Sequence, residues 1–141
     1  MLSNITAKEL LLQPQKLNAI IQSRLIELQQ LKDLARSVTA NINQERVKAS
    51  GDYQKMASLV DRAVDMESEI TSLSNQLLDI KKEVSSVIEQ LNPTEYDLLH
   101  KRYIQGMSFY EIANQKGKEY SWVTTVHGRA LKNMQKIIDQ S

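Results

Sequence analysis

Tyr120, Ser121, Thr124, Thr125 and Gly128 fall at i, i+1, i+4, i+5 and i+8 of one short stretch, a spacing that gathers them on one face if the stretch is helical. Their hydroxyls can donate or accept hydrogen bonds, the threonine methyls suit apolar contact, and Gly128 lets a backbone or a groove wall come close. Lys116, Lys118, Arg129 and Lys132 flank that face and are candidates for contacts to phosphate. This is the chemistry of recognition, and the residue sets of catalysis are missing. The chain has no cysteine to act as nucleophile. It also lacks a Gly-rich phosphate loop, a His-Glu metal motif and carboxylates paired within a pocket-forming fold. His127 has neither a cysteine nor a second ligand to help hold a metal and reads as a partly buried structural histidine. Trp122 reads as packing on the preceding helix. No enzymatic activity, cofactor or metal is expected.

Three short helices are needed to hold that face. Asn92-Pro93-Thr94-Glu95 offers an N-cap, a proline at the first helical position and a glutamate at the third, so a helix begins there. Its apolar row is Tyr96, Leu99, Tyr103 and Ile104, and Gly106 can take the left-handed conformation that ends it. Ser108 and Glu111 have the spacing of a capping box, with Met107 and Ile112 placed as a hydrophobic staple, so a second helix starts almost at once. It ends near Gly117, and a third runs from about Ser121 toward Ile138. Converging apolar faces predict a core of Leu99, Tyr103, Ile112, Ala113, Val123, Val126, Ala130, Leu131 and Met134.

Residues 1–91 read differently. From Met56 to Leu91 the apolar residues keep a 3-4 alternation for five heptads, the seam of a coiled coil. A helix from about Tyr53 to Leu91 spans roughly 58 Å and needs a partner to persist. One partner lies upstream, where Leu17, Ile21, Leu28, Leu31, Ala35 and Val38 repeat, with Arg24 interrupting the row. Pro14 marks the expected start of that helix, after a short leading helix opened by Thr6 and Glu9 at capping-box spacing. NINQERVKASGDY, with Gly51-Asp52, is the expected turn of a helical hairpin. On these boundaries the second helix exceeds the first by about 13 residues, leaving roughly 20 Å of seam for another chain or for residues 92–141. The reading is therefore all-α: a long helical hairpin or coiled coil over 1–91, then a small trihelical domain over 92–141.

The string RYIQGMSFYEIANQKG followed by WVTTVHGRALKNM, ungapped from Arg102 to Met134, resembles the promoter-binding fourth region of sigma factors and related helix-turn-helix regulators. In that pattern an Arg-Tyr pair precedes a Gly-x-Ser-x-x-Glu-Ile-Ala helix, and a later Val anchors a helix ending in Arg-Ala-Leu. With a helical hairpin in front of it, the chain is similar to small RinA/ArpU-like late transcriptional regulators of Gram-positive phages and prophages. The resemblance implies double-stranded DNA as partner, with Tyr120, Ser121, Thr124, Thr125 and Gly128 meeting base edges. Two positions depart from the pattern. Glu119 stands where a serine cap is usual, and His127 where a leucine is frequent.

Composition sets the outer limits. The chain has 141 residues and a net charge of +1. Residues 1–91 hold 11 Lys and Arg against 12 Asp and Glu, and residues 92–141 hold 7 against 5, an asymmetry that permits a nucleic-acid partner without requiring one. The absence of cysteine suits a cytoplasmic location, and no segment approaches the roughly 18 apolar residues of a membrane span. Self-association, most simply as a dimer, is expected from the coiled-coil half, and RNA polymerase is a further expected partner. The competing reading is a helical interaction module, an adaptor for RNA polymerase or a phage protein or a DNA-packaging component, that never reads DNA sequence.

Overall fold

In the computed structural model the chain is described over residues 5–44 and 50–141. Among the described residues it is all-α: α1 (Ala7–Gln44), α2 (Ser50–Ile88), α3 (Pro93–Leu99), α4 (Phe109–Lys116) and α5 (Tyr120–Asp139). No described helix is long and apolar enough to cross a membrane. The chain divides into two compact units, one comprising the segment up to Leu17 together with Leu77–Ser141, the other Asn18–Gln76.

The Asn18–Gln76 unit is the antiparallel pairing of α1 with α2. Ile21, Leu28, Val38 and Leu59 are buried, and Leu31, Ala35, Met56, Ala63, Met66, Ile70 and Leu73 are half-buried, which is the 3-4 seam the sequence predicts. Arg24, which breaks the apolar row, sends Nε to Glu69 Oε1 at 2.8 Å, and Lys32 Nζ lies 3.4 Å from Glu67 Oε1. Both pairs are largely exposed and contribute little. Gly51 and Asp52, expected in the turn, form instead the first turn of α2, where a carboxylate complements the helix dipole. The rest of that expected turn, residues 45–49, lies outside the described residues.

Pro14 does not start a helix. It sits inside α1, and Thr6 with Glu9 caps α1 itself: Thr6 Oγ1 accepts from the Glu9 N–H at 3.1 Å, and Glu9 Oε2 from the Thr6 N–H at 3.4 Å. An interior proline costs a helix about 3 kcal/mol. Full burial of Leu10 and Leu11 contributes about 3 to 6 kcal/mol, enough to keep the helix continuous. The expected length mismatch accordingly disappears, since α1 has 38 residues and α2 has 39.

In the other unit, the first turns of α1 and the last turns of α2 close over α5. Ala7, Leu10 and Leu11 form one buried cluster with Val84, Val87, Ile88, Leu99, Tyr103, Ala130, Met134 and Ile138. The Ala7 N–H donates to Gln135 Oε1 at 2.7 Å. A second cluster, Leu98, Ile112, Ala113, Val123 and Val126, joins α3, α4 and α5, with Met107, Phe109 and Trp122 packed against it. Of the nine core residues predicted, all but Leu131 are buried, and Leu131 is half-buried against the first cluster.

Candidate functional site

Three caps set the directions of α3, α4 and α5. Asn92 Oδ1 accepts from the Glu95 N–H at 2.9 Å and fixes the start of α3. After Leu99 the helix widens into a π-turn over His100–Ile104, and Gly106, at φ 76°, reverses the chain. The α4 capping box is complete: Ser108 Oγ accepts from the Glu111 N–H at 3.1 Å, and Glu111 Oε1 from the Ser108 N–H at 3.0 Å. Those bonds to Ser108 hold the Glu111 carboxyl below the usual carboxylate range. At the other end of α4, Gly117 takes φ 63°, the Lys118 N–H donates to the Ala113 carbonyl at 2.9 Å, and the Gly117 N–H to that of Asn114 at 3.3 Å. This is a Schellman closure, and its left-handed residue turns the chain out of α4 and, two residues later, into α5. Glu119 occupies the N-cap of α5 and makes no side-chain capping bond, as its departure from serine implies.

α5 buries one stripe and shows the other. Val123, Val126, Ala130, Met134 and Ile138 face inward, while Tyr120, Ser121, Thr125 and Gly128 are exposed. Thr124 is half-buried, and its hydroxyl donates to the Ser121 carbonyl at 3.0 Å. The donor of Thr124 is thereby committed, so Ser121 and Thr125 carry the free hydroxyls of the centre of this face. Tyr120 stacks on Tyr110 of α4, ring centroids 4.5 Å apart and planes at 27°. Phe109 meets Tyr120 edge-on at 6.2 Å.

The four cationic candidates separate. Lys116 Nζ lies 2.5 Å from Asp97 Oδ2, and Lys101 Nζ 2.5 Å from Asp97 Oδ1. Burial pushes the Asp97 carboxyl up, but its two lysine partners outweigh that and hold it below the usual range. Lys116 therefore clamps α4 to α3 and is not a free cation. Lys118, Arg129 and Lys132 are exposed, and none forms an ion pair among the described residues. Lys118 Nζ rests 5.4 Å from the centroid of the Trp122 ring, and Trp122 is half-buried against the cluster that joins α3, α4 and α5.

Behind the face lie polar groups that sequence reasoning missed or only half assigned. Glu95 is 2% exposed, and both its carboxylate oxygens accept from Asn133 Nδ2, at 3.0 and 3.2 Å, tying α3 to α5. The spacing marked Glu95 only as a first-turn acid. His127 is half-buried, as predicted, with Nε2 2.7 Å from Tyr103 Oη and its ring edge-on to Phe109 at 4.8 Å. Burial first, then the charges of Arg102 and Lys8, lowers the pKa of this imidazole. A neutral ring whose Nε2 accepts a hydrogen bond from the Tyr103 O–H fits that shift. The Arg102 guanidinium lies 4.8 Å from the Phe109 ring centroid, and its Nη1 donates to the Met107 carbonyl at 3.2 Å. The described residues contain no group of three or more His, Cys, Asp or Glu placed to hold a metal. No protein-family model, curated protein or solved structure matches this chain.

Proposed function

We propose that the chain is a DNA-binding transcriptional regulator of the phage or prophage type, which reads duplex DNA with the exposed face of α5. The observation that carries this reading is the pairing of an exposed hydroxyl row, Tyr120, Ser121 and Thr125 beside Gly128, with three cations at its margins, Lys118, Arg129 and Lys132, that form no ion pair among the described residues. Hydroxyls and threonine methyls suit the mixed acceptor, donor and methyl pattern of a major groove, and unpaired cations suit phosphates. The likeness of residues 102–134 to sigma factor region 4 supports the same reading, with α4 lying across the backbone and α5 in the groove.

Three phosphate contacts give a slope of about −2.7 for log affinity against log salt, or roughly a fortyfold loss between 50 and 200 mM. Titration of a labelled duplex with the full chain measures it, and affinity indifferent to salt would remove the reading.

Self-association belongs to the same proposal. On α2, Tyr53, Ala57, Val60 and Val64 are exposed at 4-3-4 spacing, a second apolar row beside the one α1 covers, and this favours a dimer joined through the Asn18–Gln76 unit. Sedimentation equilibrium at tens of micromolar tests it, a monomer being the contrary result. The same exposed row is what favours the second reading, an adaptor that docks RNA polymerase or another protein. That reading requires the full chain to show no sequence preference on any duplex.

A further inference from the structure

The second residue of α4 carries an aromatic ring that no part of the fold requires. Tyr110 is 72% exposed and lies outside both buried clusters. Among the described residues its one ring contact is the stack on Tyr120, which is itself 43% exposed. Tyr120 is held from two directions, stacked on Tyr110 at 4.5 Å and touched edge-on by Phe109 at 6.2 Å. Neither phenol hydroxyl has a hydrogen-bond partner among the described residues. An exposed tyrosine at the first position of a helix ordinarily samples several rotamers, and ordering it on a partner costs side-chain entropy. The stack removes much of that cost beforehand.

We infer that Tyr110 is a positioning residue that holds Tyr120 for a thymine in the major groove of duplex DNA. Thymine presents two features side by side on that edge, the O4 acceptor and the C5 methyl. A tyrosine presents the complement, a hydroxyl donor beside an apolar ring edge. The surroundings favour a polyanion over an acidic or apolar protein surface. Lys118, two residues before Tyr120, forms no ion pair among the described residues, the Glu111 carboxylate is occupied by the Ser108 cap, and Glu119 is the remaining carboxylate beside the pair in sequence. This inference rests on the DNA reading above and adds to it a residue outside α5 and a base identity.

The test uses the full chain and duplexes selected from a random pool. Each thymine in the selected site is replaced in turn by deoxyuridine, which removes the C5 methyl and keeps the pairing edge. At one position the wild-type protein is expected to lose about fourfold in affinity, the worth of one buried methyl. Tyr120→Ala and Tyr110→Ala should each abolish that sensitivity, and the double variant should be no worse than either alone. Tyr110→Phe keeps the stack and should restore it. Because Tyr110 is a member of neither core cluster and is 72% exposed, unchanged helicity of Tyr110→Ala separates the effect from misfolding. Sequence-selective binding in which Tyr110→Ala keeps the wild-type response to deoxyuridine would overturn this inference alone. Failure of the full chain to select any duplex would overturn it together with the DNA reading.

Discussion

Leu11→Ala asks whether residues 92–141 stand alone or need the start of α1. Leu11 is 0% exposed and packs in the cluster that includes Val84, Val87 and Ile88 of α2 and Met134 and Ile138 of α5. Truncating a leucine so enclosed leaves a cavity and costs about 2 to 5 kcal/mol. With a urea dependence of about 2 kcal/mol per molar, the midpoint should fall by about 1 to 2.5 M. Trp122 is the chain's one tryptophan and sits in α5 against the cluster that joins α3, α4 and α5, so its fluorescence reports unfolding of the α3–α5 group. Leu12→Ala is the control: the same truncation one residue on, at a side chain 39% exposed, expected to change stability by about 0.5 kcal/mol or less. A Trp122 transition unmoved by Leu11→Ala would show that α1 is not part of this core.

Stability should fall with His127 as pH drops below the unfolded imidazole's titration near about pH 6.5. An unfolded imidazole titrates near pH 6.5, and in the fold burial, then Arg102 and Lys8, lowers that value. Below about pH 6.5 the unfolded chain binds more protons, so the contribution is full above that pH and lost as pH falls through the folded value. His127→Gln should remove this part of the pH dependence, seen as a difference between the two proteins' urea midpoints. Asp97→Asn should release Lys116 from its clamp and steepen the salt slope of DNA binding from about −2.7 to about −3.6, one further phosphate contact. An unchanged slope would mean that Lys116 stays away from the duplex.

Much of the fold was legible because local chemistry and tertiary structure agree. Asn92, Ser108, Glu111 and Gly117 have cap chemistry that depends on neighbours within a few residues, and each of these caps formed where its spacing put it, while Glu119, which departs from serine, makes no side-chain capping bond. The 3-4 seam of α2 was equally plain. What could not be read were effects decided at long range. Pro14 carries a strong local signal for a helix start, and burial of Leu10 and Leu11 overrides it. The cover that α1 gives to Ala130, Met134 and Ile138 joins residues more than 100 positions apart, for which a single periodic pattern holds no information. The candidate face shows the same division. Helical spacing placed Ser121, Thr125 and Gly128 on an exposed stripe, but the hydrogen bond from Thr124 to Ser121 and the Asp97–Lys116 pair depend on side-chain geometry. Tyr110 was missed because it lies on a different helix from the residue it stacks upon.

Comparing Thr125→Ala with Lys118→Ala on a selected duplex and on its scrambled counterpart tests most directly whether the exposed face of α5 reads sequence. Loss of a base contact costs about 1 to 3 kcal/mol on the selected site only, whereas loss of a phosphate contact weakens both duplexes alike. The expected result is a fall of about fivefold or more for Thr125→Ala confined to the selected duplex, with Lys118→Ala lowering both equally. Equal losses on both duplexes from both substitutions would contradict the assignment of that face to sequence recognition.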